Sequence, residues 1–307
     1  MKVRFDEFEA RYLNPLTDFG FHKIFGPESK ELLIDFLNQI IREEGRITDI
    51  QYFPPEQLGN FETDRKAIFD IFCINENGEY FIVEMQKARQ AFFRDRSIFY
   101  ASLPIQQQAP QGDWAFRLKA VYFVAILDFV LFDEFEEDKN QIVEHVYLMR
   151  ESTKTMYSNK LKFAFVELPK FNKREEELGT HFDIWLYLLK HLPELKDRPA
   201  SAQGEIFEKL FKLAEIKRLT EEDMETYEKS ITDYCGVQLA MDYAREEARK
   251  EAYEKGIERG IEKGRKETRK EERITLIQKC LQKNMPIEDI VFLTGFSKEQ
   301  ITLFTNK

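Results

Sequence analysis

The chain has 307 residues, a formal net charge of -10 and 43% hydrophobic residues, including 28 Phe. This length and apolar content allow one large domain, or one domain with an appendage, and exclude a disordered polymer. The acidic balance argues against a protein that coats nucleic acid by bulk attraction, so any DNA contact requires a local basic patch.

Cysteine content and hydropathy give further limits. Three cysteines lie far apart, at Cys73, Cys235 and Cys280, which argues against a disulfide framework or a zinc knuckle and favours a reducing cytoplasm. The N-terminal segment lacks the apolar core of a signal peptide, and no run of about 18 apolar residues occurs. We therefore expect a soluble cytoplasmic protein.

The N-terminal part begins with a Phe-rich segment, residues 14–26, which ends at Gly26-Pro27. Apolar residues then recur at helical spacing, which predicts an amphipathic helix over residues 29–43. Residues 47–53 are predicted to form the first strand, followed by a loop over residues 54–64.

Residues 68–87, IFDIFCINENGEYFIVEMQK, predict a β-hairpin with strands at 68–75 and 79–86. If residues 76–78 form the turn with Gly78 in the left-handed conformation, Asp70 lies opposite Glu84. Gln86 follows Glu84 by two residues and therefore shares its face of the strand.

Two carboxylates this close repel each other and lose hydration, unless a proton or a cation compensates. Their oxygens make a hard donor set of the kind Mg²⁺ prefers, with Mn²⁺ or Ca²⁺ as substitutes. The alternative is structural: one carboxylate lies at the sheet margin and pairs with an Arg.

This arrangement resembles the PD-(D/E)XK nuclease superfamily, in which Asp and then Glu-x-Lys on the next strand bind metal and activate water. The VEMQ sequence ending at Gln86 is more similar to the recombination-promoting nuclease and transposase branch, whose third motif is Glu-x-Gln. The opening YLNPLTDFGFHKIFG, the segment from RDRSIFYASLPIQQQ to YFVAIL, and the tail EARKEAYEKGIERGIEKGRKE also resemble this branch.

The resemblance implies a restriction-endonuclease-like α/β fold, a mixed sheet flanked by helices. It also implies metal-dependent cleavage of DNA, with Asp70 and Glu84 as metal ligands, and a link to recombination, mobile elements or defence. The entry motif of the family, Asp-x-x-Phe followed by Lys, matches Asp18 and Lys23 loosely, and His22 stands where Lys is common. Asp18 could instead cap a helix beside Thr17.

Gln86 stands where the wider superfamily has Lys, and a neutral amide can orient water but cannot take its proton. Lys87 is adjacent but points to the opposite face of the strand. Lys66 lies four residues before Asp70 on the same face and is our candidate to substitute for the missing Lys.

Residues 89–108 predict a helix that carries Arg94, Arg96 and Tyr100. Arg96 and Tyr100 are four residues apart and so share a helix face. This face could bind phosphates beside the metal, because Arg presents a planar fork to phosphate oxygens, or it could pair with the acidic hairpin and position it.

Three further strands are predicted over residues 119–128, 143–149 and 161–168, with a polar hairpin tip over 150–160. From residue 173 the pattern is helical. The segment 243–273 is highly charged and carries Gly256, Gly260 and Gly264 at four-residue intervals, which predicts either a helix–helix contact with a second copy or a solvated arm. The last residues outline a helix-turn-helix, although Lys298 is the only basic residue of its final helix, which favours packing or oligomer contact over DNA recognition.

We therefore expect a nuclease-like core over residues 1–172, a helical extension over 173–242, and a charged arm over 243–307. The favoured hypothesis is a metal-dependent DNA endonuclease that forms a homo-oligomer through its C-terminal helices. The competing hypothesis is a catalytically weak scaffold that binds DNA or protein and oligomerises through the same helices.

Overall fold

A computed structural model describes residues 10–41, 45–54, 56–57, 67–109 and 116–305. The chain divides into two units, Met1–Met241 and Asp242–Lys307, which we describe separately. Among the described helices, none is long and apolar enough to cross a lipid bilayer.

The first unit is built on a mixed sheet, and six strands belong to it in the described part of the chain. The strands in chain order are β1 (Ile50–Phe53), β2 (Glu56–Gln57), β3 (Ala67–Ile68), β4 (Ile71–Asn75), β5 (Tyr80–Gln86), β6 (Val121–Leu127), β7 (Val143–Met149) and β8 (Met156–Glu167). The sheet order is β1-β4-β5-β6-β8-β7, and β2 pairs separately with β3. The three inner strands β5, β6 and β8 are parallel, whereas β1–β4, β4–β5 and β7–β8 are antiparallel pairs. The expected mixed α/β sheet is confirmed.

Helices cover both faces of this sheet. The helices are α1 (Asp18–Phe25), α2 (Lys30–Ile40), α3 (Phe93–Gln107), α4 (His181–His191), α5 (Glu205–Ala214) and α6 (Glu221–Gln282). On one face the apolar side chains of α1, α2, α4 and α5 form a large core with alternate residues of the strands. On the other face α3 packs with the remaining strand residues in a second core. Every residue of β6 is buried, as its unbroken apolar sequence predicts for a strand covered on both sides.

Helix α1 starts where the sequence provides a cap. The side chain of Thr17 accepts a hydrogen bond from the backbone N–H of Gly20 at 3.0 Å and so satisfies one of the N–H groups at the helix start. The alternative that Asp18 caps this helix is therefore wrong. Asp18 is the first helical residue and its carboxylate makes a different contact, described below.

Several element boundaries differ from the sequence prediction. Strand β1 begins at Ile50 rather than at residue 47, because Asn38 bonds both backbone groups of Ile47 and Glu76 accepts from the next two N–H groups. Strand β8 begins at Met156, so half of the predicted hairpin tip is strand. Helix α3 begins at Phe93 instead of residue 89, because Phe92 adopts a left-handed conformation with φ 60° and ψ 26°.

The second unit contains the C-terminal part of α6, then α7 (Ile287–Thr294) and α8 (Lys298–Thr305). Its small core contains Ile277, Cys280, Ile290 and Ile301. Helix α7 ends at Gly295, which has a φ of 68°, and a capping box follows it, since Ser297 and Gln300 bond each other's backbone N–H groups. A Cβ added at any of Gly256, Gly260 and Gly264 would meet no described atom within 4 Å, so this glycine stripe faces open space.

Candidate active site

The hairpin of β4 and β5 brings Asp70 next to Glu84. The turn contains Gly78 with φ 76°, and Asn75 fixes it by accepting hydrogen bonds from the N–H groups of Asn77 and Glu79 on its side-chain oxygen. This turn sets a register in which Ile71 pairs with Val83. One step further along the same register are Asp70 and Glu84, as the sequence predicts.

Two hydrogen bonds link each carboxylate to the backbone of the neighbouring strand segment. The N–H of Asp70 donates to Oε1 of Glu84 at 3.2 Å, and the N–H of Met85 donates to Oδ2 of Asp70 at 2.7 Å. Gln86 extends the cluster, because its Nε2 donates to Oε2 of Glu84 at 3.2 Å. The predicted common face for Glu84 and Gln86 is therefore confirmed.

The position of Glu84 is electrostatically unfavourable for an ionised carboxylate. Glu84 has 2% of its surface exposed. Burial and then the negative charge of Asp70 raise the pKa of Glu84 to about 8, although hydrogen bonds from Asp70 and Gln86 and the charge of Arg96 oppose this rise. In the described part of the chain no Lys or Arg forms an ion pair with either carboxylate, so the structural alternative of a carboxylate held by its own Arg is not observed.

Arg96 and Tyr100 of α3 lie beside this pair. The guanidinium of Arg96 lies over the rings of Phe93 and Tyr100, 5.0 and 5.5 Å from their centroids. Its Nη1 donates to Gln90, whereas Nε and Nη2 are buried with no hydrogen-bond partner among the described residues. Burial and the nearby Glu84 carboxylate raise the pKa of Tyr100. The sequence prediction that Arg96 and Tyr100 share a face is confirmed.

Helix α1 approaches the pair from the other side of the sheet. Burial raises the pKa of Asp70, and the charges of His22 and Asp18 act on it in opposite directions, so both α1 residues lie within electrostatic reach of Asp70. The Asp18 carboxylate forms an ion pair with Nζ of Lys87 at 2.8 Å. Lys87 therefore faces α1, opposite to Gln86, as the strand period predicts. Sequence reasoning assigned no role to His22, and only its i, i+4 spacing from Asp18 could have indicated it.

Two other residues singled out in the sequence, Lys23 and Arg94, do not join the cluster. Lys23 pairs with Asp223 at the start of α6, at 3.1 Å. Arg94 turns away from the site, donating to Glu134 at 2.6 Å and to the carbonyl oxygen of Leu131. Lys66 lies outside the described residues, so its proposed substitution for the missing Lys stays a prediction.

The donor set of this cluster fits a divalent cation. Mg²⁺ commonly binds through one or two protein carboxylates and retains waters or takes phosphate oxygens as further ligands. Asp70 and Glu84 provide two carboxylates that form no ion pair with a Lys or Arg in the described structure, and ionised carboxylates in this environment require a positive charge. Over the same residues, no group of three or more His, Cys, Asp or Glu side chains is arranged to hold a metal.

Comparison with known proteins decides the family. The family model for PD-(D/E)XK nuclease family transposases matches residues 15–244, from just before α1 into α6. The chain belongs to this family. No curated protein and no solved structure gives a significant match.

Membership in the PD-(D/E)XK nuclease family transposases indicates a nuclease- or transposase-related function and DNA as the substrate class. Nucleases of the PD-(D/E)XK type generally use divalent metals. The matched segment contains the carboxylate pair, Gln86 and the helix that carries Arg96.

Proposed function

We propose that this protein is a metal-dependent DNA endonuclease with Asp70, Glu84 and Gln86 at its catalytic centre. The observation that carries the proposal is the cross-strand carboxylate pair, in which each carboxylate accepts a backbone N–H of the opposite strand segment and neither has a Lys or Arg in ion-pair contact among the described residues. A protein gains no stability from an uncompensated pair of buried acids, so their arrangement is better explained by binding of a cation.

In this proposal Asp70 and Glu84 hold the divalent ion. A bound Mg²⁺ lowers the pKa of water and offsets the negative charge that develops on the phosphate. The two hydrogen bonds that join Asp70 to β5 keep the carboxylates in register, so the site does not depend on a mobile loop for its geometry. Gln86 is fixed against Glu84 and can orient a water molecule, but its amide cannot accept the proton, so the proton goes to another group.

Arg96 is our candidate for binding the scissile phosphate. Its Nε and Nη2 are the atoms that could donate in a fork to two phosphate oxygens, and both lack a partner in the described structure. The flanking rings of Phe93 and Tyr100 hold the guanidinium plane in place. Arg94 is already paired with Glu134 and is not part of this proposal. Roles in recombination, mobile elements or defence against foreign DNA fit such an activity.

A plasmid-nicking assay tests the proposal. Wild-type protein should nick supercoiled DNA with Mg²⁺ or Mn²⁺ and not with EDTA. Asp70→Asn and Glu84→Gln, which preserve side-chain shape, should each reduce the rate at least about 100-fold, because each removes a negative ligand from the reaction centre. Glu151→Gln, at an exposed turn position after β7, is the matched control and should cut like wild type.

Two results would contradict the endonuclease. If all variants cut equally, the cleavage does not arise at Asp70 and Glu84. If correctly folded wild-type protein fails to cut with every divalent ion tested, the catalytically weak scaffold becomes the better explanation. Arg96→Lys keeps the charge but loses the planar fork, and it should show a partial loss.

A further inference from the structure

Exposed aromatic side chains flank Arg96 on the outer surface of α3. Phe92 has 80% of its surface exposed and Phe99 has 46%. Phe99 follows Arg96 by three residues and shares its side of the helix, and Phe92 is the residue immediately before α3; we call these three residues the stripe. The ring of Phe99 contacts that of Tyr100, with centroids 6.3 Å apart, and Tyr100 lies near Glu84. The stripe is therefore adjacent to the carboxylate pair.

The backbone of Phe92 makes this stripe unusual. A phenylalanine rarely adopts a left-handed conformation, and such strain persists where the surrounding structure or a function maintains it. Phe92 precedes the first residue of α3, and its carbonyl oxygen accepts the N–H of Arg96 at 2.9 Å. The helix start thus directs a large apolar ring into solvent, one turn from the Arg96 guanidinium, whose buried Nε and Nη2 have no hydrogen-bond partner among the described residues.

We propose that the Phe92–Arg96–Phe99 stripe binds an unstacked nucleobase next to the scissile phosphate, so that the preferred substrate is single-stranded or locally unpaired DNA. The inference rests on the proposed function and specifies its substrate class. Surfaces that bind single strands combine a cation for the backbone with aromatic rings on which bases stack. Here Arg96 provides the charge for the phosphate, and the two exposed rings provide flat apolar surfaces for the base.

The free energy of base stacking predicts how much the removal of one ring should weaken DNA binding. Loss of one base–aromatic contact weakens binding by roughly 5- to 150-fold. Intact duplex, whose bases are stacked within the helix, should bind mainly through its phosphates and should be insensitive to the two rings. The discriminating quantity is therefore the ratio of dissociation constants for unpaired and fully paired DNA.

Binding is measured with the full chain in EDTA, where no cleavage takes place. The probes are three fluorescein-labelled oligonucleotides of equal length: a single strand, a duplex with one unpaired base, and a full duplex. Phe92→Gly suits the left-handed backbone and removes the ring, so it should keep the fold. Phe92→Gly and Phe99→Ala should each bind the single strand and the duplex with one unpaired base roughly 5- to 150-fold more weakly than wild type does. Their affinity for the full duplex should change little. Phe92→Tyr should restore binding.

A second readout reports the contact itself. A 2-aminopurine at the unpaired position should be quenched by wild-type protein and less by Phe92→Gly. Tyr157→Ala, in which an aromatic residue with 75% exposure on β8 is removed, is the matched control and should behave like wild type.

Three results would overturn the inference: no DNA binding, equal losses on all three probes, or no loss in either Phe variant. It would also fail if Phe92→Gly reduced the mass in sedimentation while DNA binding stayed unchanged, because the stripe would then contact a second copy of the chain. Failure of the endonuclease proposal is recognised separately, because nicking is scored with metal on plasmid and binding is scored without metal.

Discussion

Replacement of Glu84 by Gln should stabilise the metal-free protein at neutral pH. Burial and the charge of Asp70 raise the pKa of Glu84 from 4.5 to about 8, so the folded protein retains a proton that the unfolded chain has lost. Between these two pH values the folded state binds more protons than the unfolded state, and the free energy of unfolding decreases as the pH rises. At pH 7 this decrease amounts to about 3 kcal/mol.

Glutamine removes the charge and keeps the shape. Its amide oxygen can accept from the N–H of Asp70, and rotation of the Gln86 amide restores the other hydrogen bond. Allowing about 1 kcal/mol for imperfect geometry, we expect a net gain of about 2 kcal/mol at pH 7 and no gain near pH 4.5. For a domain of this size that corresponds to roughly 4 to 8 °C in melting temperature.

Tryptophan fluorescence is a suitable assay, because Trp185 is fully buried in the core of the first unit. Melting curves of wild type, Glu84→Gln and the exposed-site control Glu151→Gln are recorded in EDTA from pH 4.5 to 8.5. A Glu84→Gln protein that is less stable than wild type throughout, or whose difference from it does not change with pH, would refute the reasoning.

Three further predictions follow from other parts of the structure. Millimolar Mn²⁺ should raise the melting temperature of wild-type protein but not of Asp70→Asn, because a ligand that binds only the folded state stabilises that state. An equal rise in both proteins would refute Mn²⁺ binding at Asp70. Cys73 is fully buried, and burial raises the pKa of its thiol to about 12. The thiol should therefore not react with a disulfide reagent at pH 8 until the protein unfolds. Rapid labelling of Cys73 in the folded protein would contradict its burial. Truncation after Met241 should abolish self-association in sedimentation while the fluorescence melt of the core is retained, and a truncated protein with unchanged mass would rule out the second unit as the contact.

The sequence was sufficient for the central hairpin because local rules determine it. A glycine in the turn and the two-residue period of strands give the register, and these rules place Asp70, Glu84 and Gln86 together. The same rules predicted that Lys87 faces away. Helix α3 and the shared face of Arg96 and Tyr100 followed from helical spacing.

The remaining site assignments depended on partners that are distant in sequence. Lys23 and Arg94 have the charge expected of DNA-binding residues, but Asp223 and Glu134 pair with them across 200 and 40 positions. No local pattern contains that information. The start of β1 was predicted too early for a similar reason, since the N–H groups of residues 48 and 49 bond the side chain of Glu76. The left-handed conformation of Phe92 could not be predicted from the sequence either, because phenylalanine is not a residue type that favours this conformation.

The turn between Asn75 and Glu79 constrains how the gene for this protein can change. Insertion or deletion of a single codon there would shift β5 by one residue and exchange its two faces, sending Glu84 into the apolar core and Met85 towards Arg96. Most surface turns tolerate changes in length, but this one should tolerate substitutions only, and insertions in homologous genes should be absent from it while they accumulate elsewhere.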